Sequence, residues 1–228
     1  MAPVTEVVLL TLAPGADYGA IIESAKTIAR QRGCLAVRTS RLHDEPDKVH
    51  YFIDWDAVES HLAFMRDAPV YGAFLERLGA VMTGYAPPYH VELTPFPPVV
   101  FDGGRLNARN EAGGVMVGKA WFPGAGKGEG EEEEVSTAFA AFVGVLKDRA
   151  LRGFTGDVAK GWSVESDILF KGEPSRVFLF AVGWDSVEAC VRFRDSADFG
   201  EAMSAISGLQ GLRELEVCIV SVKDSNDA

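Results

Sequence analysis

The stretch Glu45-Pro46-Asp47-Lys48-Val49-His50-Tyr51-Phe52-Ile53-Asp54-Trp55-Asp56-Ala57-Val58-Glu59 returns as Glu173-Pro174-Ser175-Arg176-Val177-Phe178-Leu179-Phe180-Ala181-Val182-Gly183-Trp184-Asp185-Ser186-Val187-Glu188. The copies lie 128 residues apart at Glu-Pro and 129 apart at the tryptophan, which predicts one extra residue in the second strand, absorbed as a bulge at Gly183. Beyond the tryptophan, Phe64 answers to Phe193 and Tyr71-Gly72 to Phe199-Gly200. A turn, a strand, a Trp-Asp pair and a helix recurring in order mark a duplicated unit.

Each copy reads as β-α-β-β-α-β. In the first, Val4–Leu12 alternates and is rich in β-branched residues, as a strand requires. Ile21, Ile22, Ala25, Ile28 and Ala29 recur at helical spacing and predict a helix over 18–32, ended by Gly33. Strands follow at 34–42 and 49–55, with Asp44-Glu45-Pro46-Asp47 as the turn. Asp56 is the predicted N-cap of a helical region interrupted at Ala68-Pro69 and running to Met82, and 89–93 is the fourth strand. In the second copy, strands are predicted at 115–122, 161–166, 176–182 and 214–222, and helices over 135–146 and 185–207. The Gly/Glu tract 124–134 reads as a loop. These spans divide the chain into a first repeat at 1–95, a linker at 96–113 that follows Pro95, a second repeat at 114–223 and a tail at 224–228.

A β-α-β-β-α-β unit is a ferredoxin-like α+β fold, a four-stranded antiparallel sheet with both helices on one face. Val7, Leu9 and Thr11 lie on one side of the first strand and Val8, Leu10 and Leu12 on the other, so both faces need cover. Helices cover one. The other copy's sheet covers the second, which gives two ferredoxin-like repeats forming an intramolecular, pseudo-dimeric α+β barrel.

Net charge is −11 and Lys127 sits among glycines beside the run Glu129–Glu134, so phosphate backbones and anionic lipids are disfavoured partners. Cys34, Cys190 and Cys218 are odd in number and lack Cys-x-x-Cys spacing, which argues for free thiols rather than a disulfide framework or zinc site. The apolar run Val7–Leu12 is too short for a signal core or a span. The reading is a cytoplasmic monomer whose outer helices leave room for a homodimer, without nucleic-acid or membrane partners.

The strand ending in Trp55-Asp56, the helix Ser60-His61-Leu62-Ala63-Phe64 and the closing Pro87-Pro88-Tyr89-His90-Val91-Glu92-Leu93 resemble the dimeric α+β barrel superfamily, nearest to its antibiotic-biosynthesis-monooxygenase-like group in fused tandem form. The resemblance spans nearly the whole chain and implies a pocket between sheet and helices. It also implies a cofactor-independent monooxygenase or cyclase acting on a small aromatic, polyketide-like molecule. The alternative it leaves open is a non-catalytic binding or stress-associated barrel.

All four histidines lie in the first copy, and the second has Cys190 against His61 and Phe178 against His50. A functional site is therefore expected in the first half. His61, placed about two turns into its helix, His90 and His50 are the candidate bases, since a neutral imidazole suits removal of a phenolic or α-carbonyl proton. His43, beside the turn, is expected in solvent. Tyr51, Tyr71, Tyr85 and Tyr89 are candidate hydrogen-bond donors, and Trp55 and Phe64 candidate stacking surfaces. No metal site is expected, because the histidines lack i, i+4 partners, and no cofactor motif is present. A substrate enolate that reduces O₂ itself would need none.

Overall fold

The computed structural model describes residues 2–102, 113–124 and 130–224. Parts of the linker, the Gly/Glu tract and the tail (103–112, 125–129 and 225–228) lie outside these residues. The first repeat runs β1 Val4–Leu12, α1 Tyr18–Ala29, β2 Cys34–Leu42, β3 Lys48–Trp55, α2 Val58–Arg66, α3 Ala68–Gly79 and β4 Met82–Val91. The second runs β5 Gly114–Pro123, α4 Glu131–Asp148, β6 Phe154–Trp162, β7 Ile168–Phe170, β8 Glu173–Trp184, α5 Val187–Arg194, α6 Ala197–Ser207 and β9 Glu214–Asp224.

The strands form one antiparallel sheet in the order β4-β1-β3-β2-β9-β5-β8-β6, with β7 extending β8. Each repeat keeps the ferredoxin-like order, and β2 joins β9 through pairs such as Arg41↔Ser221 and Leu42↔Val220. The two ends, β4 and β6, are tied by the isolated bridges Val91↔Ser163 and Thr94↔Lys160 and by a few hydrogen bonds such as Glu92 N to Trp162 O at 3.1 Å. The sheet is therefore curled into a barrel with one continuous seam and one loosely tied one.

Three apolar layers follow from alternation in the strands. Val7, Phe52, Val117, Leu179 and Val220 point into the barrel. Val8, Leu10, Tyr51 and Ile53 face α1–α3. Met116, Phe178, Phe180 and Val182 face α4–α6. Each fully buried side chain such as Phe52 contributes roughly 1.5–3 kcal/mol, so covering both faces is what stabilises strands this apolar. The linker takes part: Val99–Phe101 form a 3-10 turn, Phe101 stacks on Phe52 at 4.1 Å between centroids, and Asp102 pairs with Arg38 at 2.7 Å.

Several expectations are corrected. Gly183 is not a bulge, because β8 pairs with β5 residue for residue through Val115↔Gly183. The irregularity lies in the partner strand β6, between Phe154 and Val158, where a Cβ on Gly183 would stand 2.7 Å from Thr155 Oγ1. The 129-residue offset thus holds along the whole strand, the extra residue precedes it, and His50 corresponds to Leu179 rather than Phe178. The second predicted strand of copy two, placed at 161–166, is β6 at Phe154–Trp162, and residues 163–167 are a loop. Glu131–Glu134 open α4 instead of lying in a loop, because carboxylates are favoured at a helix N-terminus and Arg176 pairs with Glu131 at 2.7 Å. β4 begins at Met82 and passes through Pro87-Pro88, which an edge strand tolerates. Ala57, not Asp56, is the N-cap of α2, so His61 falls in its first turn.

Asp56 instead joins α2 to the α1–β2 connection: its carboxylate accepts from Ser60 Oγ at 2.5 Å, and its N–H donates to Gly33 O at 2.8 Å. Gly33 has φ +83°, and a Cβ there would meet Asp56 Oδ1 at 2.5 Å as well as Ser60 Oγ. Gly33→Ala is expected to cost about 1–3 kcal/mol in urea unfolding through the left-handed backbone and this crowding.

Candidate functional site

The layer between the first repeat's sheet and α1–α3 encloses a cavity of about 320 Å³. Its walls are apolar: Val8, Leu10 and Ile53 from the sheet, Ile28, Phe64, Phe74 and Leu78 from the helices. Tyr71 lies edge-on to Phe64 at 5.1 Å. Tyr85, 63% exposed, stands at the mouth with Leu75. The second repeat fills the corresponding layer, because α4 sends Phe139 and Phe142 onto Phe180, with ring centroids 5.5 and 5.6 Å away. In the first repeat Tyr51 stands where Phe180 would be, and α1 supplies only Ile21, Ala25 and Ile28.

Polar groups gather at one place on this wall. Glu6 lies opposite His90 across β1 and β4, both facing the helices, and α2 brings His61 down between them. His61 Nδ1 is 2.8 Å from His90 Nε2, and His61 Nε2 is 3.4 Å from Glu6 Oε1. Trp55 Nε1 donates to Glu6 Oε2 at 2.8 Å, and its ring stacks on His61 at 5.6 Å. From the second repeat, the loop after β6 places Glu165 behind His90: its carboxylate accepts from His90 N at 2.9 Å and contacts Nδ1 at 2.6 Å. All three of Glu6, His61 and His90 are buried.

The charges of these groups follow from their surroundings. Burial raises the Glu165 carboxyl, but hydrogen bonds from His90 outweigh it and hold the group below its ordinary value. A carboxylate can only accept, so His90 Nδ1 carries a hydrogen. Where His90 Nε2 accepts, His61 Nδ1–H is its donor at 2.8 Å. That leaves a bare lone pair on His61 Nε2, beside Glu6. Burial, then the neighbouring His90, pushes His61 down to about 4, so its imidazole is neutral. Burial pushes Glu6 up to about 7, against the Trp55 hydrogen bond.

The folded protein therefore binds the Glu6 proton more tightly than the unfolded chain does. Its contribution to stability is full below pH 4.5 and is lost as pH rises through about 7. The expected loss is on the order of 2–3 kcal/mol, and Glu6→Gln is expected to abolish that slope in denaturant titrations between pH 4.5 and 8.

The structure brings His61, His90, Trp55, Phe64, Tyr51, Tyr71 and Tyr85 to this cavity or its polar corner. The hydroxyl of Tyr51 is already engaged, within 2.5 Å of Ser24 Oγ and donating to Ile21 O at 3.0 Å. His50 and Tyr89 lie on the other face, inside the barrel. His50 stacks on Phe52 at 5.3 Å, and burial holds it well below the usual histidine range. Tyr89 lies edge-on to Trp121 at 6.1 Å, and burial raises its hydroxyl. His43 is exposed. The cysteine thiols are protonated, Cys34 being pushed up to about 12 by burial.

Two residues of the corner were missed in the sequence. Glu6 carried a signal, since it alone interrupts the face Val4, Val8, Leu10 with a charge. Glu165 carried none, lying 75 residues from His90. By strand register and the tryptophan offset, Glu6, His61 and His90 correspond to Met116, Cys190 and Ile219, all buried in the second repeat's core. The expected absence of a metal cluster is also revised, because Glu6, His61 and His90 place three ligand atoms within 4.8 Å of one another. Sequence spacing along one helix cannot detect ligands drawn from two strands and a helix.

No protein-family model and no curated protein sequence matches the chain. Solved structures do. An anthrone oxidase-like protein superposes with TM-score 0.66 at 16% identity, covering 98% of this chain and 92% of its own. A Lactobacillus acidophilus protein described as a "putative monooxygenase" superposes with TM-score 0.57 at 12% identity, covering 99% and 97%. At such identities the likeness establishes the fold. The chain shares the fold of these proteins, an α+β barrel built from two ferredoxin-like repeats. Among the described residues no helix is long and apolar enough to cross a membrane.

Proposed function

We propose that the chain is a monooxygenase acting on a flat, largely apolar aromatic molecule with a phenolic or enolisable edge, bound in the cavity of the first repeat. The observation that carries this reading is the row Glu6–His61–His90, buried at one corner of an otherwise apolar cavity and backed by the half-buried Glu165. A ring fits the apolar walls, and its single polar edge is met only at that corner. The proton is taken at the His61 Nε2–Glu6 Oε1 pair, where the lone pair and the carboxylate share it. His90 and Glu165 hold His61 in the tautomer that keeps Nε2 free. The resulting carbanion or phenolate is the reductant and O₂ the oxidant. A ring CH₂ becomes C=O, with one oxygen atom retained and the other leaving as water.

The anthrone oxidase-like neighbour supports the choice of substrate class. The test incubates the chelator-treated protein with anthrones and polyphenols, follows quinone formation and O₂ uptake, and repeats both with His61→Ala and His90→Ala. Quinone formation that falls in both variants supports the reading. Binding without turnover supports a non-catalytic ligand-binding barrel instead, and unchanged turnover in both variants overturns the site.

A further inference from the structure

We propose that Glu6, His61 and His90 bind one zinc-class divalent ion, and that the bound ion switches off the acid–base site. This goes beyond the oxygenase reading, and its binding test does not depend on it.

Glu6 is a buried carboxylate whose only basic neighbour within 4 Å among the described residues is His61 Nε2, at 3.4 Å. The corner sets two carboxyl groups, Glu6 and Glu165, on either side of two imidazoles. A divalent cation held there would lie beside the Glu6 carboxyl group, with Glu165 behind His90.

The donor set is chemically apt. Two imidazoles and one carboxylate make the three-ligand set of an open zinc-class site, with the remaining position left for water or an oxygen ligand. Donors around such an ion stand about 3.3 Å apart when its bonds are about 2.1 Å. His61 Nδ1 and His90 Nε2 are 2.8 Å apart, and the three ligand atoms lie within 4.8 Å of one another.

The outer contacts such a site needs are already made. His90 Nδ1 contacts Glu165 at 2.6 Å, which turns Nε2 toward the ion. Trp55 Nε1 occupies Glu6 Oε2 at 2.8 Å and leaves Oε1 free to ligate. Since Glu6 and His61 also line the cavity, the open position faces it. An ion there takes up the Glu6 oxygen and a nitrogen of His61, so the pair can no longer accept a substrate proton.

The experiment titrates metal-free full-length protein with Co²⁺, reading visible d–d bands and proton release, with Zn²⁺ as competitor. The expected result is one Co²⁺ per chain, displaced by Zn²⁺. Affinity should fall more than tenfold in Glu6→Gln and in His61→Ala, and about 10–100-fold in Glu165→Gln, which touches no ion. Circular dichroism identifies any variant that fails to fold, and Glu165→Gln, which keeps the fold's hydrogen-bonding shape, then decides. Absent d–d bands, or equal affinity in the folded variants, overturns the site. Turnover that persists with the ion bound overturns the switch but not the site. Binding without any turnover in the chelated protein removes the oxygenase reading and leaves the metal site standing.

Discussion

Glu6→Gln is expected to lower aromatic oxidation by about 10²–10⁴-fold, the usual contribution of a positioned acid–base group, with little change in substrate affinity. The substitution keeps the size of the side chain, and the amide oxygen can still accept from Trp55 Nε1. What it removes is the ability to take a proton beside His61 Nε2. The activity of the parent protein should rise across pH 7, where Glu6 ionises, and this limb should be missing from whatever activity the variant retains. A steady-state pH series on both proteins checks this. Equal turnover in Glu6→Gln would exclude Glu6 from the proton transfer. Glu165→Gln is expected to act differently. It weakens the hold on His90 Nδ1, so it should reduce turnover less and leave the Glu6 limb in place.

This division of labour explains what could be read in the sequence. Duplication and the curling of the two repeats' sheet were legible because they rest on local signals: the doubled Trp55 and Trp184, and strands such as β1 that are apolar on both faces. The repeat holding the histidine cluster was legible too, because His61 and His90 have no histidine counterpart. The cavity was not. It exists because α1 presents Ile21, Ala25 and Ile28 where α4 presents Phe139 and Phe142 against Phe180, a difference in filled volume that periodicity does not report. Glu165 was invisible for a topological reason. It enters the first repeat's site across the β4–β6 seam, where Val164 N donates to His90 O at 2.8 Å, and that pairing exists only once the barrel has closed. The second repeat therefore does more than wall the barrel, since it supplies a carboxylate to the site of the first. The same closure misled the reading of His50 and Tyr89. Strand alternation assigns them a face, but only the sheet order shows that this face is the barrel interior.

Closure also makes Arg38 a point of large leverage on stability. Its guanidinium is 4% exposed and binds two carboxylates, Asp54 at 2.7 Å from Nη1 and Asp102 at 2.7 Å from Nε. Asp54 is further held by Thr5 Oγ1 at 2.7 Å, while Asp102 belongs to the linker turn that seals the barrel over Phe52. Arg38→Met keeps the apolar stem but leaves Asp54 buried without its cation, where burial already raises its carboxyl despite Arg38. Breaking one partner of a buried pair in this way costs about 3–5 kcal/mol. For a chain of this length that corresponds to a fall in Tm of roughly 6–20 °C. Replacing both partners, Arg38→Met with Asp54→Leu, removes the stranded charge along with the ion pair. The double variant is expected to recover at least half of the loss, with Thr5 and Asp102 accounting for the rest. Urea unfolding of the two single variants and the double variant forms the cycle that measures this coupling. Strictly additive losses would mean that Arg38 stabilises the barrel by filling space and not by neutralising Asp54.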